Sequence, residues 1–321
     1  MSLQTGVSPH IRTENDTKNI MLDLIIALSP ATLFGIIIFG IGALLVVAVC
    51  VATAVLSEAL TCYTLKKPLS TGDLTAVVTG LLLALCLPSE TPLYIAAIGS
   101  AFSILVAKML FGGVGKNLVN PAIAGRVFLL VAFPAALTAF KSPFTDLTAS
   151  ATPLSGGQYS FNEIFYGVLP GTIGETSVVL LALGGAYLLI RKVITLTIPL
   201  SFILSAVAVG LLSGQDALLT LSSGGLVLGA VFMATDYVTS PMTFPGKVVF
   251  GAGCGIITMV IRLFASLPEG VSYAILIMNI LVPFIDNLFA PKPFGTNKNQ
   301  DWRTFEKCLK FLKQIKASIF K

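Results

Sequence analysis

The chain has 321 residues, of which 55% are hydrophobic and 11% charged, with a mean hydropathy of +0.92. Soluble domains carry roughly 25% charged residues, so this composition excludes a soluble enzyme, a disordered protein and a nucleic-acid-binding module. The formal net charge is +5, and one His with five scattered Cys (50, 62, 86, 254, 308) offers neither metal-ligand spacing nor a disulfide framework.

Residues 1–19 form a polar leader that reads as uncleaved and, from the charge distribution below, as a cytoplasmic N-terminus. A membrane-spanning helix needs about 20 mostly apolar residues. Ten runs qualify in chain order: 20–40, 42–65, 74–88, 92–111, 121–140, 177–190, 193–212, 217–235, 246–264 and 271–290. The third is short and ends at Pro88; the sixth is short as drawn; the eighth is interrupted by Ser222, Ser223, Gly224 and Gly225. The expected fold is an all-α polytopic membrane protein with about ten transmembrane helices.

Charge tests the count. With both termini in the cytoplasm, the N-terminus, the inner loops and the tail hold 18 of the 20 Lys and Arg, leaving only Lys141 and Arg262 outside. Such asymmetry is the positive-inside pattern. It places the long Ser/Thr/Gly/Pro-rich segment 141–176 outside. Loops this long between short-looped helices are usually functional. A Ser155→Cys protein is expected to react with an impermeant thiol reagent in intact spheroplasts. Labelling seen only after lysis would reverse the topology.

The two halves share a pattern. TGLLLALCLPSETP, an apolar span and GGVGKNLVNPA in the first match GGLVLGAVFMATDYVTSP, a span and PEGVSYAILIMN in the second. Gly80 and Gly225 stand at the start of the short helix in each. Five spans per half is an odd number, so residues 20–140 and 177–290 read as two inverted five-helix repeats with short or broken third and eighth helices. Such repeats place sites where half-helix ends expose backbone groups.

Several elements offer chemistry. Gly112, Gly113 and Gly115 permit positive φ, and Asn120-Pro121 reads as an N-cap and first helical residue. A Gly-rich turn feeding a helix can hold an anion, although 112–126 fits no phosphate-loop or dinucleotide motif; a tight turn and helix cap is the simpler reading. Asp23 and Glu58 fall near the cytoplasmic ends of their spans, close to water. Asp286 falls near the inner surface, where it can snorkel. Asp236, at the break in ATDYVTSP, is the acid with the strongest functional placement. The outer stretch TDLTASATPL, 145–154, combines hydroxyls with small neighbours, a composition common in loops.

Six blocks together carry a resemblance: SPHI (8–11), TGLLLAL (79–85), KMLFGGVGKNLVNPAIAGR (108–126), SATPL (150–154), ATDYVTSP (234–241) and PEGVSYAILIMN (268–279). The chain resembles the D subunit of the Rnf electron-transport complex, which is related to the B subunit of the sodium-pumping NADH:quinone reductase. Its length, without a long N-terminal extension, is closer to the Rnf member. That family carries FMN joined by a phosphoester to a Thr in Asp-x-x-Ser/Thr-Gly-Ala-Thr. Asp146, Ala151 and Thr152 match, whereas Ala149 and Ser150 depart, both with small residues. The resemblance implies covalent FMN on Thr152, on the outer face of a bacterial or archaeal cytoplasmic membrane. It also extends to non-covalent riboflavin, with no residues assigned.

The implied role is an electron-carrying subunit of a translocase-type oxidoreductase. It would work between reduced ferredoxin and NAD, with coupled Na+ or H+ transport, other Rnf subunits as partners and no substrate-converting site of its own. The alternative is an inverted-repeat channel or transporter without a redox group. The tail, 291–321, is expected on the cytoplasmic side. Trp302, Phe305, Leu309, Leu312, Ile315 and Ile319 recur at helical spacing among Lys307, Lys310, Lys313 and Lys316. That amphipathic pattern suits membrane lipid or a soluble protein partner equally.

Overall fold

The computed structural model describes residues 16–67, 70–141, 144, 170–175, 177–214, 220, 225–265 and 270–290. Each of the ten apolar runs contains a helix: α1 (Thr17–Phe39), α2 (Ile41–Thr64), α3 (Thr75–Leu85), α4 (Leu93–Ile104, continued as a π-turn Leu105–Met109), α5 (Pro121–Ala132), α6 (Val178–Ile190), α7 (Thr197–Leu212), α8 (Leu226–Leu228, continued as a π-turn Gly229–Met233), α9 (Phe244–Phe264) and α10 (Gly270–Leu288). Four of them, α1, α2, α9 and α10, are long and apolar enough to cross a membrane, and the others are shorter apolar helices. The elements of the described residues are helices, and the chain is a multi-pass membrane protein.

The boundaries correct several expectations. α5 stops at Ala132 rather than running to Phe140, because Pro134 cannot continue the hydrogen-bond ladder; a single turn, Pro134–Leu137, follows. α7 begins at Thr197, four residues later than the apolar run. α3 has 11 residues. At about 1.5 Å per residue it covers roughly half of a hydrocarbon core about 30 Å thick.

The glycine match between the halves also shifts. Gly225 does precede α8 with φ 64°, but the residue in that place before α3 is Leu74, at φ 63°. Gly80 lies inside α3, and its role is close approach: a Cβ there would come 2.8 Å from the Cys50 carbonyl oxygen on α2.

Helix contacts run through such small residues, as expected where lipid gives no hydrophobic drive between helices. A Cβ at Gly125 of α5 would meet the Gly99 carbonyl of α4 at 2.9 Å, and one at Gly251 of α9 would meet the Ile198 carbonyl of α7 at 2.8 Å. α2 packs on α3 and α4, α9 on α7 and α10, and α1 on α6. Residues 170–175 wedge between these groups, with the Ile173 N–H donating to the Leu87 carbonyl at 3.0 Å.

Candidate functional site

Two features converge where the short helices end. α3 ends at Leu85, and the Cys86 sulfur after it lies 3.9 Å from the sulfur of Met233, the last residue of α8. The two helices therefore meet C-terminus to C-terminus. Helix ends leave carbonyls without intrahelical partners, and α5 supplies donors to both. Arg126 Nη1 donates to the Cys86 carbonyl. Asn120 Nδ2 donates to the Met233 carbonyl at 3.1 Å, while its Oδ1 accepts from the Ala122 N–H at 3.0 Å. The expected Asn120-Pro121 cap is present, and its amide serves a second helix as well.

Asn279 of α10 completes the junction. With its amide oriented by its neighbours, it accepts from the Asn120 N–H and donates to the Thr239 carbonyl, both at 3.1 Å. Asn120, Asn279 and Arg126 are all buried. Each of the three donates to a backbone carbonyl, the kind of pairing a dry interior requires of its polar groups.

An open cleft leads to the junction from the end of the bundle where α1 begins. It encloses about 730 Å³ with its mouth included. Met21, Leu24, Val193, Ile194 and Phe232 form apolar walls. Thr75, Thr79, Lys108, Asn117 and Asp236 supply the polar edge. The glycines that shape one rim have the expected positive φ: 117° at Gly112, 101° at Gly113 and 82° at Gly115. Asn117 Oδ1 is buried without a hydrogen-bond partner.

Behind the polar edge lies a buried ion pair that the apolar runs concealed. Lys108 Nζ donates to Glu58 Oε2 at 2.9 Å and to Thr75 Oγ1 at 2.6 Å. Ser70 Oγ donates to Glu58 Oε1 at 2.5 Å. Thr75 Oγ1 in turn donates to Asp73 Oδ1 at 2.7 Å. Lys108 is 2% exposed and Glu58 0%, so Glu58 is not at the watered surface as its place in the run suggested. The π-turn that contains Lys108 changes the rotational phase of α4, a local irregularity frequent at functional sites. A Lys and a Glu in separate apolar runs were the legible signal, because each is costly there alone.

The other acids are also tied down. Asp23 accepts from the Tyr187 hydroxyl at 2.9 Å and from Arg191 Nε at 3.2 Å, joining α1 to α6. Asp286 accepts from the Met242 N–H at 3.1 Å. Asp236 accepts from Thr239 Oγ1 at 3.0 Å while it lines the cleft. Thr152, Asp146 and the tail 291–321 lie outside the described residues.

The model of the NQR2, RnfD, RnfE family matches residues 4–295. A protein of Acetobacterium woodii, named as the D subunit of a Na(+)-translocating ferredoxin:NAD(+) oxidoreductase complex, is 42% identical, over 93% of this chain and 97% of the relative. One of Clostridium ljungdahlii, named as the D subunit of a proton-translocating ferredoxin:NAD(+) oxidoreductase complex, is 40% identical over 91% and 96%. A Stutzerimonas stutzeri protein, named as the D subunit of an ion-translocating oxidoreductase complex, is 38% identical over 88% and 93%. The chain belongs to the NQR2, RnfD, RnfE family of multi-pass membrane proteins, and within it groups with the D subunits of ion-translocating oxidoreductase complexes.

Proposed function

We propose that this chain is the flavin-bearing membrane subunit of a ferredoxin:NAD oxidoreductase complex whose electron transfer is coupled to Na+ or H+ translocation. The observation that carries the reading is the near-full-length similarity to the D subunits of two such complexes. The proposed topology has ten spans arranged as two inverted repeats, both termini in the cytoplasm and segment 141–176 outside. Two basic residues counted as inner-loop charges, Lys108 and Arg126, are in fact buried. Removing them from the tally still leaves 16 inner against 2 outer.

Thr152 is the residue proposed to hold FMN through a phosphoester. Asp146 and Ala151 complete the matched positions of the motif. The second flavin of the family, non-covalent riboflavin, is proposed for the open cleft. The unpartnered Asn117 Oδ1 is an acceptor suited to a ring N–H or a ribityl hydroxyl. The aliphatic walls and Phe232 suit the faces of a flat ring, and exclude water from them. When bound, flavins supply the one- and two-electron chemistry, and the chain sets their position and surroundings.

The test is flavin fluorescence of the denatured chain in a gel, from cells that make the flavin transferase. A fluorescent band is the expected result. A dark band would leave an inverted-repeat transporter as the reading. For the cleft, Asn117→Leu is expected to lower the flavin released on denaturation and to leave the covalent band unchanged. Unaltered release would remove riboflavin from this cleft.

A further inference from the structure

We propose that Lys108 is the cationic contact of the flavin in the cleft: its third N–H donates to the ring, and its charge raises the potential of that flavin. This rests on the placement of riboflavin in the cleft and goes beyond it to what sets the potential of the bound ring. An ammonium has three N–H donors. Among the described residues, Lys108 Nζ uses two, on Glu58 Oε2 at 2.9 Å and on Thr75 Oγ1 at 2.6 Å. Lys108 is 2% exposed, and both it and Thr75 line the cleft. A buried donor without an acceptor is costly, and a ring carbonyl or ring nitrogen held in the cleft supplies one.

The polar edge of the cleft then matches one side of an isoalloxazine. The pyrimidine edge of that ring alternates carbonyl acceptors with an N–H donor. Lys108 offers it a donor, and Asn117 Oδ1, buried and unpartnered, offers it an acceptor in the same cleft.

The ammonium is paired, but from behind. Glu58 is 0% exposed, is not among the residues that line the cleft, and has its two oxygens taken up by Lys108 and Ser70. The pair is therefore a dipole with its positive end toward the cleft, weaker than a bare charge but of fixed sign. Asp236 is the other charged side chain of the lining, and it accepts from Thr239 Oγ1 at 3.0 Å. It opposes the effect of Lys108, and it stays in place when residues 58 and 108 are replaced, so it cancels in the comparison. An electron delivered to the ring places negative charge on its nitrogens and carbonyls. Beside the ammonium, in a poorly screened interior, that charge is attracted and the reduced form is favoured.

The experiment titrates the whole complex with dithionite, which gives electrons to the flavins and is itself oxidised to sulfite. The spectral component missing from the Asn117→Leu complex identifies the cleft flavin. Glu58→Leu with Lys108→Met is expected to lower the midpoint of that component by about 60 mV or more, a tenfold change in a one-electron equilibrium. The covalent flavin should not move. Glu58→Gln, which removes the counter-charge and keeps the ammonium, is expected to raise the midpoint. A pair that only held the fold would move both variants in the same direction. A double variant with the parent midpoint would overturn the proposal. Should the double variant fail to assemble or to hold this flavin, Glu58→Gln decides: an unchanged or lowered midpoint rejects the contact. A parent complex with no component sensitive to Asn117→Leu defeats the placement of riboflavin in the cleft and this contact with it. Such a component with an unmoved midpoint defeats the contact alone.

Discussion

Replacing Thr152 with Ala is expected to abolish covalent flavin on this chain while leaving its insertion intact. The phosphoester needs a hydroxyl, and Thr152 is the acceptor at the matched position, two residues after the Ser150 that stands where the family pattern has Gly. The methyl side chain of Ala adds no bulk in a segment already built of Ala, Ser and Thr, so the attachment should be lost without a folding penalty. Fluorescence of the denatured chain should fall to background, with unchanged amounts of chain in the membrane. Thr152→Ser should retain the flavin, because it keeps the nucleophilic oxygen. Flavin persisting on the Ala protein would move the acceptor to Thr145, Thr148 or Ser150.

The largest effect on stability is expected at Lys108 and Glu58. Removing the ammonium by Lys108→Ala leaves a carboxylate with 0% exposure and Ser70 as the donor that remains among its described partners. Breaking a buried pair from one side typically costs about 3–5 kcal/mol, and a lone charge away from water in a membrane protein is at least as unfavourable. Glu58→Leu should cost a similar amount by stranding the ammonium. The double replacement Glu58→Leu with Lys108→Met should recover most of the loss, since an apolar pair of similar volume is often no less stable. Thermal unfolding of the detergent-solubilised complex measures all three. A double variant as unstable as the sum of the singles would show that shape, not charge pairing, holds these positions.

The reach of the sequence is clear at particular residues. Asn120-Pro121 and the glycines at 112, 113 and 115 were legible because caps and positive φ are local requirements, met by residues adjacent in the chain. The short third and eighth helices were legible because Pro88 and Ser222–Gly225 interrupt hydropathy within one window. The break of α5 before Pro134 was equally local and was overrun by the apolar residues on both sides.

By itself, the amino-acid sequence determined that this is a helical membrane protein, where its apolar helices lie and which family it resembles. Composition and period act over a few residues, and the membrane rewards them directly. Tertiary structure alone decided which charged groups are inside and what they meet. Glu58 finds Lys108 across 50 positions, and Cys86 finds Met233 across 147. A hydropathy window averages such charges into their apolar neighbours and carries no helix phase. The π-turn at Leu105–Met109 and the seat of Gly125 on Gly99 belong to packing, and it is packing that sets Lys108 against Glu58 and Arg126 against the end of α3.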